Sequence, residues 1–144
     1  MRLKRDRLQP EKFPYCYEMQ SRFSDLDKVG HVNHVNLTAF FQEGRNRFFH
    51  AFELLKAEQC GLVVASLNVE FAGDLFHPDP ITVYTGLIEI GRSSFRVGQV
   101  AVQDGRIGAY AEVVQVARGE TGTRALPDAW HPIFDKMMIQ DTGK

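Results

Sequence analysis

The sequence predicts an α+β domain in which a sheet of about five antiparallel strands packs on one long helix. Three observations carry this. An apolar stripe recurs at helical spacing between Leu37 and Leu55. After Gly61 the apolar period drops to two and stays there through Val116. The gaps between the later alternating runs are short, which makes neighbouring strands antiparallel, because parallel pairs need a long crossover.

Residues 1–14 are polar, end in Phe13-Pro14, and read as a loosely held arm. Residues 15–23 alternate as a first strand, with Tyr15, Tyr17 and Met19 on one side. Ser24 to Asn33 is rich in loop and cap formers, with Gly30 as its turn. In the helix, Leu37, Phe41, Gly44, Phe48, Ala51 and Leu55 are spaced 4, 3, 4, 3, 4. Phe40 and Phe52 widen this face. Gln59-Cys60-Gly61 is expected to end the helix, with Gly61 as its stop.

Val63, Ala65, Leu67, Val69 and Phe71 then alternate, as do Ile81, Val83, Thr85 and Leu87. Runs through Phe95–Val102 and Ile107–Val116 complete the set. Asp104-Gly105 between the last two is a two-residue hairpin signal. Apolar residues on both strand faces call for cover on the far face too, with a second subunit as the candidate. The stretch Ala125–Phe134 reads as a short surface segment held by Trp130 and Phe134. The expected division is an arm (1–14), a single domain (15–136) and a C-terminal tail (137–144).

At 144 residues and 16.4 kDa the chain fits one domain with a real core. Its net charge of −1 lacks the basic excess of a nucleic-acid binder. Cys16 and Cys60 form neither a disulfide framework nor a zinc spacing, and read as reduced thiols. No apolar run reaches the roughly 18 residues of a membrane span. The basic start has no apolar segment after it, so it is not a secretory signal. A cytoplasmic protein is expected, without nucleic-acid or membrane partners.

Chemistry concentrates between Arg22 and His34, where two carboxylates, two imidazoles and an amide precede an apolar helix. The first N–H groups of a helix lack intrahelical partners and carry partial positive charge. They would stabilise a carbonyl oxygen that gains negative charge. A nearby carboxylate could attack an acyl carbon or activate water. Asp and Asn before a helix also serve simply as caps, worth about 1 kcal/mol. Spacing alone leaves both readings open.

Asp25-Leu-Asp27-Lys-Val-Gly30-His31-Val-Asn33, running into Phe40-Phe41-Gln-Glu43-Gly-Arg45, resembles the D-x-D-x-x-G-H-V-N signature of the 4-hydroxybenzoyl-CoA thioesterase-like group of hotdog-fold proteins. Asn68-Val-Glu-Phe71, Asp79-Pro80, Gly91-Arg-Ser-Ser94-Phe95 and Leu126-Pro127 resemble the same group, in the same order. The resemblance implies a curved antiparallel sheet around one central helix and an acyl-CoA thioesterase. It implies that Asp27 is the catalytic carboxylate, as nucleophile or general base. It implies that the backbone N–H of His34 polarises the thioester carbonyl and that Asn33 lines the pocket or orders the loop. Gly30 and His31 of the motif, with Arg92 and Ser94 of the later turn, are the implied substrate contacts. Asp25 is implied to order the loop, with Arg22 or Arg45 as partner, and Glu43 to pair with an arginine.

Two positions depart from the group. His34 stands where many relatives have asparagine, and Leu37 where many have tyrosine. The implied site lies between subunits of a homodimer or homotetramer, binds acyl-CoA, and needs no cofactor or metal. Other readings are a non-catalytic acyl-CoA-binding protein and a thioesterase acting on acyl-carrier-protein thioesters. A hotdog dehydratase would carry an Asp-His pair in a D-x-x-x-x-H pattern, and that pattern is missing here.

Overall fold

Helix α1 (His34–Ala51) is the element around which the rest is arranged. Residues 3–140 are described by a computed structural model. Asn33 starts α1, its side-chain oxygen accepting the Val35 N–H at 2.8 Å. Leu37, Phe40, Phe41, Gly44 and Phe48 of the predicted stripe are buried, and so is Phe49, which lies off it. The helix stops sooner than its spacing predicts. Glu53 adopts a left-handed conformation (φ 56°), and one further turn follows, α2 (Leu54–Ala57). The break turns Leu54 inward against the cluster that holds Phe49 and Trp130. Leu55, expected on the buried stripe, is left 41% exposed. Gly61 therefore opens a strand instead of closing the helix.

The strands are β1 (Tyr15–Met19), β2 (Gly61–Phe71), β3 (Ile81–Ile90), β4 (Ser94–Gln103), β5 (Arg106–Gly119) and the short β6 (Gly122–Thr123). They form one antiparallel sheet in the order β1-β3-β4-β5-β2, with β6 paired to β5. Asp104 and Gly105 both take positive φ (51° and 74°) in the β4–β5 hairpin, the backbone an Asp-Gly pair is suited to supply. This curled sheet packed on one helix is the hotdog fold.

The concave face meets α1 through residues such as Ile81, Val83, Val97, Ala111 and Val113. Gly44 sets the approach distance, since a Cβ there would lie 2.7 Å from Val83 Cγ1. Beside it sits Gln99, fully buried. Its amide donates to the Phe41 carbonyl (2.8 Å) and to Thr85 Oγ1 (3.0 Å), and its oxygen accepts from Arg45 Nη1 (3.0 Å). A buried amide left unpaired would cost about 1–3 kcal/mol; here each side is used.

The convex face corrects one expectation. Over β3 and β4 it is covered by segments near the two ends of the same chain, which were expected to be a loose arm and a tail. Gly86 and Gly98 pair across these strands and leave a depression. A Cβ on Gly86 would lie 2.6 Å from Ile139, and one on Gly98 the same distance from Leu8. Leu3, Leu8 and Ile139 are buried there with Val100 and Tyr110.

The segment expected to be a loose arm is thus packed, with Arg5 paired to Glu70 at 2.9 Å and the Lys12 carbonyl accepting the Gln140 N–H. Trp130 and Phe134 lie in the core and not on the surface, because a 3-10 turn (Asp128–Trp130) and α3 (His131–Met137) fold them inward. Of the expected tail, Met137 is buried and Ile139 donates to the Leu87 carbonyl; residues 141–144 lie outside the described residues. Among the described residues no helix is long and apolar enough to cross a membrane.

Candidate active site

The loop before α1 is held at both ends. Phe23–Asp25 forms a 3-10 turn, Leu26 and Val32 pair as an isolated antiparallel bridge, and Gly30 closes the turn between them. Gly30 has φ 88°, a conformation that costs a residue with a side chain and suits glycine. The Val32 N–H is bound by the Leu75 carbonyl at 2.8 Å, which anchors the loop to the β2–β3 connection.

The two aspartates are treated oppositely. Asp25 is fully buried. Its Oδ1 accepts from Asn36 Nδ2 (2.8 Å) and Arg22 Nη2 (3.0 Å), its Oδ2 from the Arg22 N–H (2.7 Å), and its carbonyl from the Asn33 N–H (2.6 Å). Burial works to raise its pKa, but the hydrogen bonds from Arg22 and Asn36 outweigh it and hold the carboxyl below the usual aspartate range. Its partner is Arg22 and not Arg45, and its bonding capacity is spent on ordering the loop.

Asp27 is exposed. Its Oδ1 accepts the N–H groups of Val29 (3.0 Å) and His31 (3.1 Å). Its Oδ2 has no hydrogen-bond donor among the described residues. The two N–H groups on Oδ1 fix the direction of the side chain.

His34 is the first residue of α1, and among the described residues its N–H has no acceptor. The next N–H, of Val35, is taken by Asn33. The structure therefore gives Asn33 a capping role. The His34 ring turns away to lie edge-on to Phe71 of β2, at 6.2 Å between centroids. His31 is pinned sideways, with Nδ1 3.3 Å from Asp74 Oδ1 and its ring edge-on to Phe76. Among the described residues no three His, Cys, Asp or Glu side chains are grouped to hold a metal.

Arg92 and Ser94 are not brought to Asp27 within one chain. They sit in the β3–β4 turn, where the Arg92 carbonyl accepts from Leu126 and that of Ser94 from Gly91. β4 runs from Ser94 to Gln103, and Gln103 bonds Phe76, which touches His31. The turn and the Asp27 loop are therefore at opposite ends of a strand roughly 30 Å long. Glu43 is engaged by Arg47 at 2.7 Å.

Sequence reasoning passed over Asn36, which clamps Asp25, and Gln103, 1% exposed, whose side chain bonds both backbone groups of Phe76 and the Asp79 carbonyl. The available signal was a polar residue in the first helical turn and another at the close of an apolar strand.

The curled sheet around one helix places the chain among the hotdog-fold thioesterases. The chain belongs to the thioesterase-like superfamily, whose family model matches residues 21–128.

Three comparisons agree. A protein of Aquifex aeolicus (strain VF5) named "Putative esterase" is 30% identical over 112 residues, covering 75% of this chain and 81% of that one. The structure of a thioesterase from Thermus thermophilus, complexed with coenzyme A and Zn, is similar at a TM-score of 0.76 and 28% identity, covering 88% of this chain and 94% of that one. The fold is also that of a predicted thioesterase from Bacillus stearothermophilus, at a TM-score of 0.80 and 24% identity over 88% and 98% of the two chains.

Proposed function

We propose that the protein hydrolyses acyl-CoA thioesters and that Asp27 is its catalytic carboxylate. The observation that carries this reading is the pairing, across one short loop, of an aimed but unoccupied Asp27 oxygen with the acceptor-free N–H of His34. The thioester oxygen binds at that N–H. The positive end of the α1 dipole stabilises the charge it gains when the carbonyl carbon becomes tetrahedral. Asp27 either attacks that carbon, giving a mixed anhydride that water then opens, or takes a proton from the attacking water. In both routes the C–S bond breaks, the thiolate of CoA is protonated, and water supplies the atoms that make the carboxylic acid.

The CoA contacts from Arg92 and Ser94 come from a second copy, in a homo-oligomer with its sites at the subunit interface. Their distance from Asp27 within one chain supports this, as does the exposed apolar edge at β2, where Val63, Val64, Leu67 and Phe71 are all more than 40% exposed. Coenzyme A in the similar Thermus thermophilus structure supports the choice of thiol.

The test is free-thiol release from acyl-CoAs of increasing chain length by the protein and by Asp27→Asn. Asparagine keeps the oxygen that accepts from Val29 and His31, so circular dichroism should be unchanged. The turnover number should fall about 10²–10⁴-fold, the range for losing a positioned acid–base group. Unchanged turnover would remove Asp27 from the mechanism.

A further inference from the structure

Arg45 is a charge without a counter-charge. It is 6% exposed, and among the described residues its side chain has one hydrogen bond, to the neutral amide of Gln99 at 3.0 Å. Among the described residues no carboxylate lies within ion-pair distance of it. Glu43 on the same helix is taken by Arg47, and Glu58 by Arg124. Burial alone acts on the guanidinium and pushes its pKa below the usual arginine value. A buried cation of this kind is costly unless it is paired.

Arg45 borders a cavity of about 370 Å³ lined also by Gln42, Asn46, Gln115, Leu62 and Val64. A second cavity of about 460 Å³ adjoins it through Asn46, Phe49 and Leu55. These volumes are those of small-molecule sites. Directly paired residues on neighbouring strands share a face. The pairings of Leu62 with Ala117, Val64 with Gln115, Leu67 with Val113 and Phe71 with Ala109 therefore put this apolar row on the concave side, beside α1. The row begins at Phe71, which touches His34, and ends at the Arg45 cavity. By helix rise, His34 and Arg45 are roughly 16 Å apart along α1.

We infer that the Arg45 cavity is a carboxylate-binding site and that the acyl groups handled here are aliphatic chains with a second, distal carboxylate. The chain lies on Phe71, Leu67 and Val64, and its far carboxylate meets Arg45 with the amides of Gln42, Asn46 and Gln115 around it. A charge-assisted, bidentate contact is what a guanidinium offers a carboxylate. The orientation of the chain rests on the thioesterase reading; the carboxylate contact does not.

The experiment compares adipoyl-, suberoyl- and sebacoyl-CoA with hexanoyl-, octanoyl- and decanoyl-CoA, and measures binding of free sebacate against 1,10-decanediol by calorimetry. At the best-fitting length, kcat/KM should favour the ω-carboxyl substrate at least tenfold, and sebacate should bind where the diol does not. Arg45→Met should collapse that ratio. Gln42→Glu, at an exposed position that leaves the core intact, should collapse it by placing a negative charge at the cavity.

Hydrolysis with no preference, and no sebacate binding, overturns the inference and leaves the thioesterase reading standing. No hydrolysis of any acyl-CoA overturns that reading instead, and sebacate binding then decides the Arg45 site by itself. If Arg45→Met dissociates the oligomer and leaves the substrate ratio unchanged, the counter-charge belongs to a second copy and the inference fails.

Discussion

The two flanks of α1 are built differently. Toward β1 and β3 the helix is sealed. Tyr15 packs its ring on Phe48 (5.8 Å) and Phe52 (6.5 Å), Arg47 lies 4.6 Å above Tyr17, and Gly44 lets the backbone settle onto Val83. Toward β2 the helix is open. Val64, Leu67 and Phe71 are 48%, 45% and 52% exposed on the same concave face. The sealed flank supplies stability and fixes the direction of α1. The open flank runs from the free amide of His34 to the cavity at Arg45. Apolar surface left uncovered beside a fixed helix start marks where something other than the chain itself is meant to lie.

The sharpest way to break this contrast is Phe48→Ala on the sealed side. Phe48 is fully buried among aromatic rings, so its loss should cost about 3–5 kcal/mol in urea unfolding, with the midpoint shifted and the slope kept.

A smaller effect is expected at Asp25, which gives the loop ahead of α1 its rigidity. Its folded pKa lies below the unfolded value of about 3.9, so its contribution is present above that value and fades as pH falls through the folded pKa. Unfolding measured from pH 6 downward should show wild type losing stability in acid, while Asp25→Asn starts about 1–3 kcal/mol lower and converges on it. Parallel curves would mean that the Arg22 and Asn36 bonds contribute nothing.

The smallest effect belongs to Leu67→Ala on the open flank. At protein concentrations low enough to separate any oligomer, it should shift stability by less than about 0.5 kcal/mol. A loss like that of Phe48 would show that the chain closes this flank itself.

How much of this was legible in the sequence varies by element. The stripe from Leu37 to Phe48 and the Asp104-Gly105 turn were readable because their signals are local: a repeat of 3.6 residues, and a dipeptide suited to positive φ. The break at Glu53 was not, because glutamate is no turn former; what holds it there is Leu54 packing near Trp130, distant in sequence. The seating of the chain ends was equally hidden, since the paired glycines that make room for them belong to two different strands.

At the site, the motif located the loop, but nothing local distinguishes the duties of Asp25 and Asp27. Burial and Asn36, one helical turn into α1, decide between them. Arg45 was visible as a motif arginine. Its want of a carboxylate became visible only once Gln99 was seen beneath it.

The glycine depression on the convex face has a practical consequence. Leu8 and Ile139 are both seated in it, so residues near each end of the described chain lie on the side of the sheet turned away from α1. A fluorescent label or affinity handle placed on an exposed side chain beside them, such as Gln140, starts from the back of the molecule. The protein can be immobilised through that face with the groove still facing solution.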